Sequence, residues 1–142
     1  MTLFVLGLIA VPLLDQALKL LVRRRLRRRS FALGPAGRVQ AIEAQIWMLR
    51  APGPWTPRMM WTLWAVGAGA LTVVSGLVPS CAWASGLVVG GALSHAAEVS
   101  LRGSVCDYVC LRFWPAFDLA DVALTVGAAG TLIEVVAAIP RP

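Results

Sequence analysis

The six residues "VPSCAW" (Val78 to Trp83) constrain this chain more than any other stretch. They join two apolar runs, one from about Met59 to Val78 and one from about Ala82 to Leu101. Each run is long enough to cross a bilayer, which takes about 20 apolar residues. A join this short leaves one arrangement, an antiparallel helical hairpin. Two further runs of the same kind lie at about 3–22 and 119–139. With the hairpin between them, segments 23–58 and 102–118 must fall on one side of the membrane. The expected fold is an all-α membrane protein, a single membrane domain over residues 1–142. It would be a four-transmembrane-helix bundle with a small amphipathic or β-containing loop region on that side.

Composition agrees. The chain is 58% hydrophobic and only 14% charged, whereas a soluble domain carries about 25% charged residues. The first run does not read as a cleaved signal peptide. No basic residues precede it, its arginines follow it, and it lacks a small-residue cleavage site. In the first loop, "GPAG" and "APGPWTP" are turn signals. Between them "RVQAIEAQIWMLR" is amphipathic and suits either an interfacial helix or part of a small sheet. Gly86 and Gly90, with Gly67, Gly69, Gly127 and Gly130, are expected to let helix backbones approach closely. Cys81, Cys106 and Cys110 form no metal pattern and read as small packing residues. Cys106 and Cys110, four apart, would share a face if their segment were helical.

The net charge of +6 could suggest nucleic acid. The basic residues, however, lie beside apolar spans, in the run "VRRRLRRRS" above all. The expected partners of Arg23, Arg24, Arg25, Arg27, Arg28 and Arg29 are anionic lipid headgroups, not nucleic acid. Arg38, Arg50, Arg58, Arg102 and Arg112 lie on the same loop side, and only Arg141 lies on the other. The positive-inside rule therefore places the loop side in the cytoplasm.

The acids are few and concentrated. Asp15, Glu98, Asp107, Asp118 and Asp121 lie in spans or close to their ends. The hairpin puts Asp107, Asp118 and Asp121 on the loop side, with Glu98 near that end of the third span. Asp15 lies about two turns below the matching end of the first span, within reach of them. Lys19 follows Asp15 by four residues, the spacing of a helical ion pair. Asp118 stands just before the fourth span, where an aspartate caps a helix. Asp107 and Asp121 have no basic residue at pairing distance. A charged side chain at membrane depth costs roughly 2.5–3.5 kcal/mol and marks function. Two facing carboxylates hold one proton between them, which is the working state of an aspartic protease. A proton or ion path through Asp15, Lys19, Glu98 and Glu134 is a weaker reading, because the chain lacks inverted repeats.

Three stretches carry a resemblance to a known family. "LLDQALKLLV" (Leu13 to Val22) resembles an Asp-Gln-x-x-Lys motif in a first span. "GGALSHAAEVSLRGSVCDYV" (Gly90 to Val109) resembles Gly-Ala-x-Gly-Asn-x-x-Asp-Arg-x-x-x-Gly-x-Val-x-Asp-Phe. "WPAFDLADVAL" (Trp114 to Leu124) resembles Trp-Pro-x-Phe-Asn-x-Ala-Asp-x-x-Ile. In order and spacing these are similar to signal peptidase II, the bacterial lipoprotein signal peptidase, a four-span aspartic peptidase. The resemblance implies that Asp107 and Asp121 are the catalytic pair and that Asp15 and Lys19 help to hold the site. Gly103 and Val105 match the turn before the first aspartate, and Phe117 and Ala120 the frame of the second. It also implies a lipid-modified prolipoprotein substrate, a mechanism without metal or cofactor, and the bacterial cytoplasmic membrane.

The departures are specific. Ser94 and His95 stand for the family's Gly-Asn, Glu98 and Val99 for its Asp-Arg, and Asp118 for the asparagine before the second aspartate. The family's Asn-x-Gly-Ala-Ala-Phe motif has no counterpart between Val39 and Trp55. His95 can donate and accept hydrogen bonds in place of an amide, whereas Val99 cannot replace an arginine. The family also places the loop side outside the cytoplasm, against the charge bias, and that orientation is adopted here. The first reading is thus an aspartic endopeptidase with His95, Glu98 and Asp118 in support. The second is a non-catalytic membrane subunit of the same fold that binds a partner or lipid.

Overall fold

The computed structural model describes residues 1–26, 29–44 and 55–140. Among these residues there are four long helices: α1 (Thr2–Leu26), α2 (Trp55–Leu77), α3 (Ala82–Arg102) and α4 (Leu119–Ala138). A small sheet is built from β1 (Phe31–Ala32), β2 (Gly37–Ala44) and β3 (Val105–Leu111). The hairpin forms as expected: a single 3-10 turn, Pro79–Cys81, connects α2 to α3. The sheet segments follow α1 and α3 and pair with each other, so they lie together at one end of the bundle.

α3 is the hub, packed against α1, α2 and α4. Trp64 Nε1 donates to the Val89 carbonyl at 3.1 Å and Trp61 Nε1 to Ser100 Oγ at 2.9 Å, which ties α2 along α3. Phe4, Ala82 and Val89 are buried together, with Leu8, Trp64, Ala68 and Leu71 against them. The outer faces are apolar too: Leu13, Leu63, Val66, Leu77, Ile133 and Val136 are exposed. A surface of this kind needs lipid around it.

Among the described residues, three helices are long and apolar enough to cross a membrane: Thr2–Leu26, Pro57–Leu77 and Leu119–Ala138. The sequence reading expected four. α3 has 21 residues and hence the length. Its hydropathy is lowered by Ser85, Ser94, His95 and Glu98, and by glycines turned toward its neighbours. A helix enclosed by three others can carry polar side chains where partners satisfy them, as Lys19 and Arg23 do for Glu98, and Gln16 and Asp15 for Ser94.

The glycines divide into two groups. A Cβ on Gly86 would stand 2.5 Å from the Phe4 carbonyl oxygen, and one on Gly90 would stand 2.4 Å from that of Gly7. Gly127 meets the Ala84 carbonyl oxygen and Gly130 the Trp83 ring in the same way. These four carry the close α1–α3 and α4–α3 crossings. Gly67 and Gly69 do not: among the described residues, nothing beyond their own helix backbone lies within 4 Å of a Cβ at either. The expectation of tight packing there is corrected, because α2 leans on α3 through its tryptophans and leaves a groove beside Gly67.

The first loop resolves in favour of the sheet. β2 pairs antiparallel with β1 and β3, with Val39 opposite Val109 and Ile42 opposite Asp107. Residues 45–50 of the amphipathic stretch lie outside the described residues. Cys106 and Cys110 sit on β3, not on a helix, in a segment whose Val105, Tyr108 and Val109 favour a strand. Gly103 makes the turn into β3. It ends α3 at φ 71°, donating its N–H to the Val99 carbonyl, a left-handed position that suits glycine.

Gly86→Leu is expected to lower stability in detergent by about 1–3 kcal/mol through overpacking at α1, while Gly69→Leu leaves it unchanged. Thermal unfolding of the two variants side by side is the check, and equal melting would contradict the assigned crossing.

Candidate active site

The site begins with one buried ammonium. Asp15, Lys19 and Arg23 recur every four residues on α1, so they form a stripe along one face. Lys19 is fully buried. Its Nζ lies 2.7 Å from Asp15 Oδ2, 2.6 Å from Glu98 Oε2 on α3 and 2.5 Å from Asp118 Oδ2 at the head of α4. All three carboxylates are inaccessible to solvent. The expected Asp15–Lys19 pair is therefore present as part of a larger cluster joining three helices.

Neighbours add further hydrogen bonds around the cluster, although Asp15 Oδ1 is buried without a partner among the described residues. Ser94 donates its hydroxyl to Asp15 Oδ2 at 2.6 Å and accepts from Gln16 Nε2 at 2.9 Å. Arg23 donates to Glu98 Oε1 at 2.5 Å and to Glu43 Oε1 on β2 at 2.9 Å. Ser104 donates to Glu43 Oε2 at 2.8 Å. Arg23 thus fastens the sheet to the bundle, and Glu43 is held below the usual carboxylate range chiefly by that guanidinium. The expectation that Arg23 serves lipid headgroups is corrected, since its charge is spent inside the protein. Arg24, Arg25 and Arg29 are exposed, and Arg27 and Arg28 lie outside the described residues.

Asp118 works in two directions. Oδ2 faces Lys19, while Oδ1 accepts the Asp121 backbone N–H at 2.8 Å. Asp121 Oδ2 accepts the Asp118 N–H in return at 3.1 Å, closing a capping box on α4. This is the expected N-cap, and it also sets the direction of the Asp121 carboxylate. His95 Nε2 stands 3.4 Å from Asp118 Oδ1 and 3.5 Å from Asp121 Oδ1. The Nε2 atom is buried and has no aligned hydrogen bond among the described residues.

Asp107 enters from β3. It is partly buried and lies in the electric field of Asp118, Asp121, His95 and Lys19. Burial and then the charges of Asp118 and Asp121 push its carboxyl up to about 6. Tyr108, next along the strand, accepts the Leu119 N–H through its hydroxyl oxygen at 3.1 Å and so links β3 to the start of α4. The sequence reading named Ser94 only as a departure from the family pattern, assigned no site role to Gln16, Tyr108 or Glu43, and did not find the inward role of Arg23. Arg23 alone had a signal, the four-residue stripe continued past Lys19.

A mostly helical protein with membrane-capable apolar helices and carboxylates gathered around one buried lysine is, by class, a membrane protein with a buried charge cluster. The profile of the Signal peptidase (SPase) II family matches residues 7–137, and the chain belongs to that family. It is similar to the lipoprotein signal peptidase of Cellvibrio japonicus (strain Ueda107), with 33% identity over 85 residues, 54% of this chain and 49% of that protein. With the lipoprotein signal peptidase of Syntrophomonas wolfei subsp. wolfei (strain DSM 2245B / Goettingen) it shares 36% identity over 81 residues, 51% of this chain and 54% of that one. For that of Halothermothrix orenii (strain H 168 / OCM 544 / DSM 9562) the figures are 44% over 45 residues, 32% and 31%. The matches thus span about half or less of these relatives' length. A bacterial membrane enzyme structure solved by the in meso method at 1.9 Å superposes with a TM-score of 0.79 at 18% identity, over 96% of this chain and 94% of that one. A second, at 2.3 Å, gives 0.73 at 19% identity, over 94% and 87%. At these identities the likeness is one of fold.

Two outcomes follow from the charges. Lys19→Met strands three buried carboxylates and is expected to cost about 3–5 kcal/mol, measured as loss of thermal stability in detergent; an unchanged melting temperature would contradict the cluster. Asp107 is expected to titrate near 6 by carboxyl ¹³C NMR, and Asp121→Asn to move that midpoint downward by removing a negative neighbour. The folded protein then holds the Asp107 proton where the unfolded chain has lost it, so this group's contribution to stability falls as pH rises from 3.8 to about 6.

Proposed function

We propose that this chain is a membrane-embedded aspartic endopeptidase that removes signal peptides from lipid-modified prolipoproteins. The observation that carries the reading is the Asp107 carboxyl, half-buried beside Asp118 and Asp121 and pushed up to about 6. A carboxyl with that proton affinity suits a pair that shares one proton. In the proposed reaction one member of the Asp107–Asp121 pair takes a proton from water as its oxygen attacks the scissile carbonyl carbon. The other gives its proton to the carbonyl oxygen. On collapse of the tetrahedral intermediate the C–N bond breaks, the aspartate that took the water proton gives it to the leaving amine, and the other aspartate recovers the proton from the hydroxyl that becomes the carbonyl oxygen. Lys19 acts at one remove, holding Asp118 so that the α4 cap aims Asp121.

All four helices span the membrane in this reading, α3 being shielded by its neighbours. The loop side faces away from the bacterial cytoplasm, where the exported cleavage site would lie. A groove of about 360 Å³ between α2, α3 and α4 is lined by Leu63, Trp64, Leu71, Val88 and Leu124 and ends at His95. It suits the apolar part of a signal peptide or an acyl chain arriving from the bilayer. Arg24, Arg25 and Arg29 are available to anionic headgroups.

One observation favours a second reading. His95 faces Asp121 at 3.5 Å, so an imidazolium there would neutralise the carboxylate and leave a non-catalytic subunit that binds a partner or lipid.

Cleavage of a lipid-modified prolipoprotein by purified protein separates the two. Asp107→Asn and Asp121→Asn are each expected to abolish cleavage while the protein stays folded, since an amide cannot accept the proton from water. Asp118→Asn retains a capping side chain and leaves Lys19 with Asp15 and Glu98, so cleavage is expected to persist. Variants indistinguishable from an inert wild type would favour the subunit.

A further inference from the structure

We infer that Arg24 and Arg102 form a binding site for one anionic phospholipid headgroup, a phosphodiester whose other substituent is uncharged, as in phosphatidylglycerol. Both side chains line a cavity of about 590 Å³, together with Leu20, Arg23, Ala41 and Glu43. That volume lies within the roughly 300–1,000 Å³ of small-molecule sites. Three elements wall the cavity: the last turns of α1, the strand β2 and the C-terminus of α3. Arg102 is not part of the arginine run that follows the first span. The fold brings it to the same cavity as Arg24.

The charges in the cavity are not equivalent. Arg23 is committed, with Nε on Glu43 Oε1 at 2.9 Å and Nη2 on Glu98 Oε1 at 2.5 Å. Glu43 is committed too, since its Oε2 accepts the Ser104 hydroxyl at 2.8 Å. These two side chains close the wall between α1 and β2. Arg24 and Arg102 are exposed. Among the described residues, neither has a carboxylate at ion-pairing distance. The cavity therefore presents two guanidinium groups without an internal counter-charge. A guanidinium fits a phosphate through two parallel N–H···O bonds, so a pair of them grips one phosphodiester from two sides. With Glu43 engaged, no carboxylate of the cavity is left to receive the cationic end of a zwitterionic headgroup. An uncharged substituent on the phosphate is favoured for that reason.

The surface below the cavity indicates what the phosphate carries. Leu13, Ala17, Leu20 and Arg24 are all exposed on α1, and their spacing puts them on one stripe of the helix. Leu101, next to Arg102 at the end of α3, is 82% exposed. Apolar surface thus continues from the cavity along the span toward the middle of the bundle, the direction that acyl chains take from a headgroup. A free phosphate ion would use the guanidinium groups and leave that surface without a partner. Basic pockets between spans hold lipid headgroups in this way. The bound headgroup joins α1 to α3 beside the Arg23–Glu98 bridge. The site rests on the headgroup role proposed above for Arg24 and not on the peptidase chemistry.

Native mass spectrometry of the full-length protein in detergent tests the site with no cleavage step, so its failure and that of the peptidase reading are separate results. Dioleoylphosphatidylglycerol is expected to saturate at one equivalent and to bind in clear preference to dioleoylphosphatidylcholine. Arg24→Gln and Arg102→Gln are each expected to weaken that binding by about ten-fold or more, the worth of one hydrogen bond to a charged group. Arg112→Gln removes the same charge from the end of β3, outside the cavity. It is expected to change binding by less than about two-fold, as for a screened surface charge. Equal affinity for the two lipids would overturn the proposal. Equal losses in all three variants would overturn it as well, because they would show a diffuse attraction to net charge. Sodium phosphate that displaces the lipid at comparable concentration would overturn the lipid as occupant and leave a free-anion site. Should one cavity variant fail to fold, the other variant and the wild-type lipid preference decide.

Discussion

One ammonium group organises this protein. Lys19 is fully buried and is met by carboxylates from α1, α3 and the head of α4 at 2.5–2.7 Å. Burying an ion costs several kcal/mol, which close opposite charges and further hydrogen bonds must offset. The geometry is therefore exacting. α1 must turn its Asp15–Lys19–Arg23 stripe inward, and α3 must approach closely enough for Glu98 to reach. The glycines at the α1–α3 crossing allow that approach, with Gly86 and Gly90 close against the backbone of Phe4 and Gly7. The order at Lys19 passes on to Asp118, whose other oxygen caps α4, and from the cap to Asp121. A residue one side chain removed from the proposed reacting atoms thus helps to set where one of them points.

The sheet supplies the opposite wall. β3 carries Asp107, and the sheet is joined to the bundle at three points, through Arg23 and Glu43 on β2, through the Cys106 N–H on Glu98 Oε1 and through Tyr108 on the Leu119 N–H. Position 99, where the family pattern has arginine, holds a buried valine. Glu98 beside it still receives a guanidinium, from Arg23 on α1. The cluster thus retains its positive charge from a different helix. His95, standing where the family pattern has an amide, faces Asp118 Oδ1 at 3.4 Å and Asp121 Oδ1 at 3.5 Å.

What could be read from the sequence depended on the range of the rule involved. The hairpin, the Asp15–Lys19 pair and the Asp118 cap follow from short connections and helical spacing, and each is present. The sheet could not be separated from an interfacial helix, because "RVQAIEA" is amphipathic on either period and only pairing with β3 selects the strand. Gly67 and Gly69 looked like packing glycines because composition does not reveal which face of a helix meets a neighbour. α3 looked like a fourth apolar span, although its enclosure by three helices lets it carry Ser94, His95 and Glu98 at lower hydropathy. Arg23 read as one of six surface arginines. Its distinction is to lie on the same stripe as Lys19, beside acids that only the folded chain brings near.

The most direct test is mass spectrometry of a lipid-modified prolipoprotein after incubation with the purified wild-type protein in detergent. The expected result is a single cut immediately before the lipidated cysteine, giving an intact signal peptide and a mature lipoprotein with a free amino terminus. A substrate left whole by folded, membrane-competent protein, or cut elsewhere, would contradict the proposed peptidase.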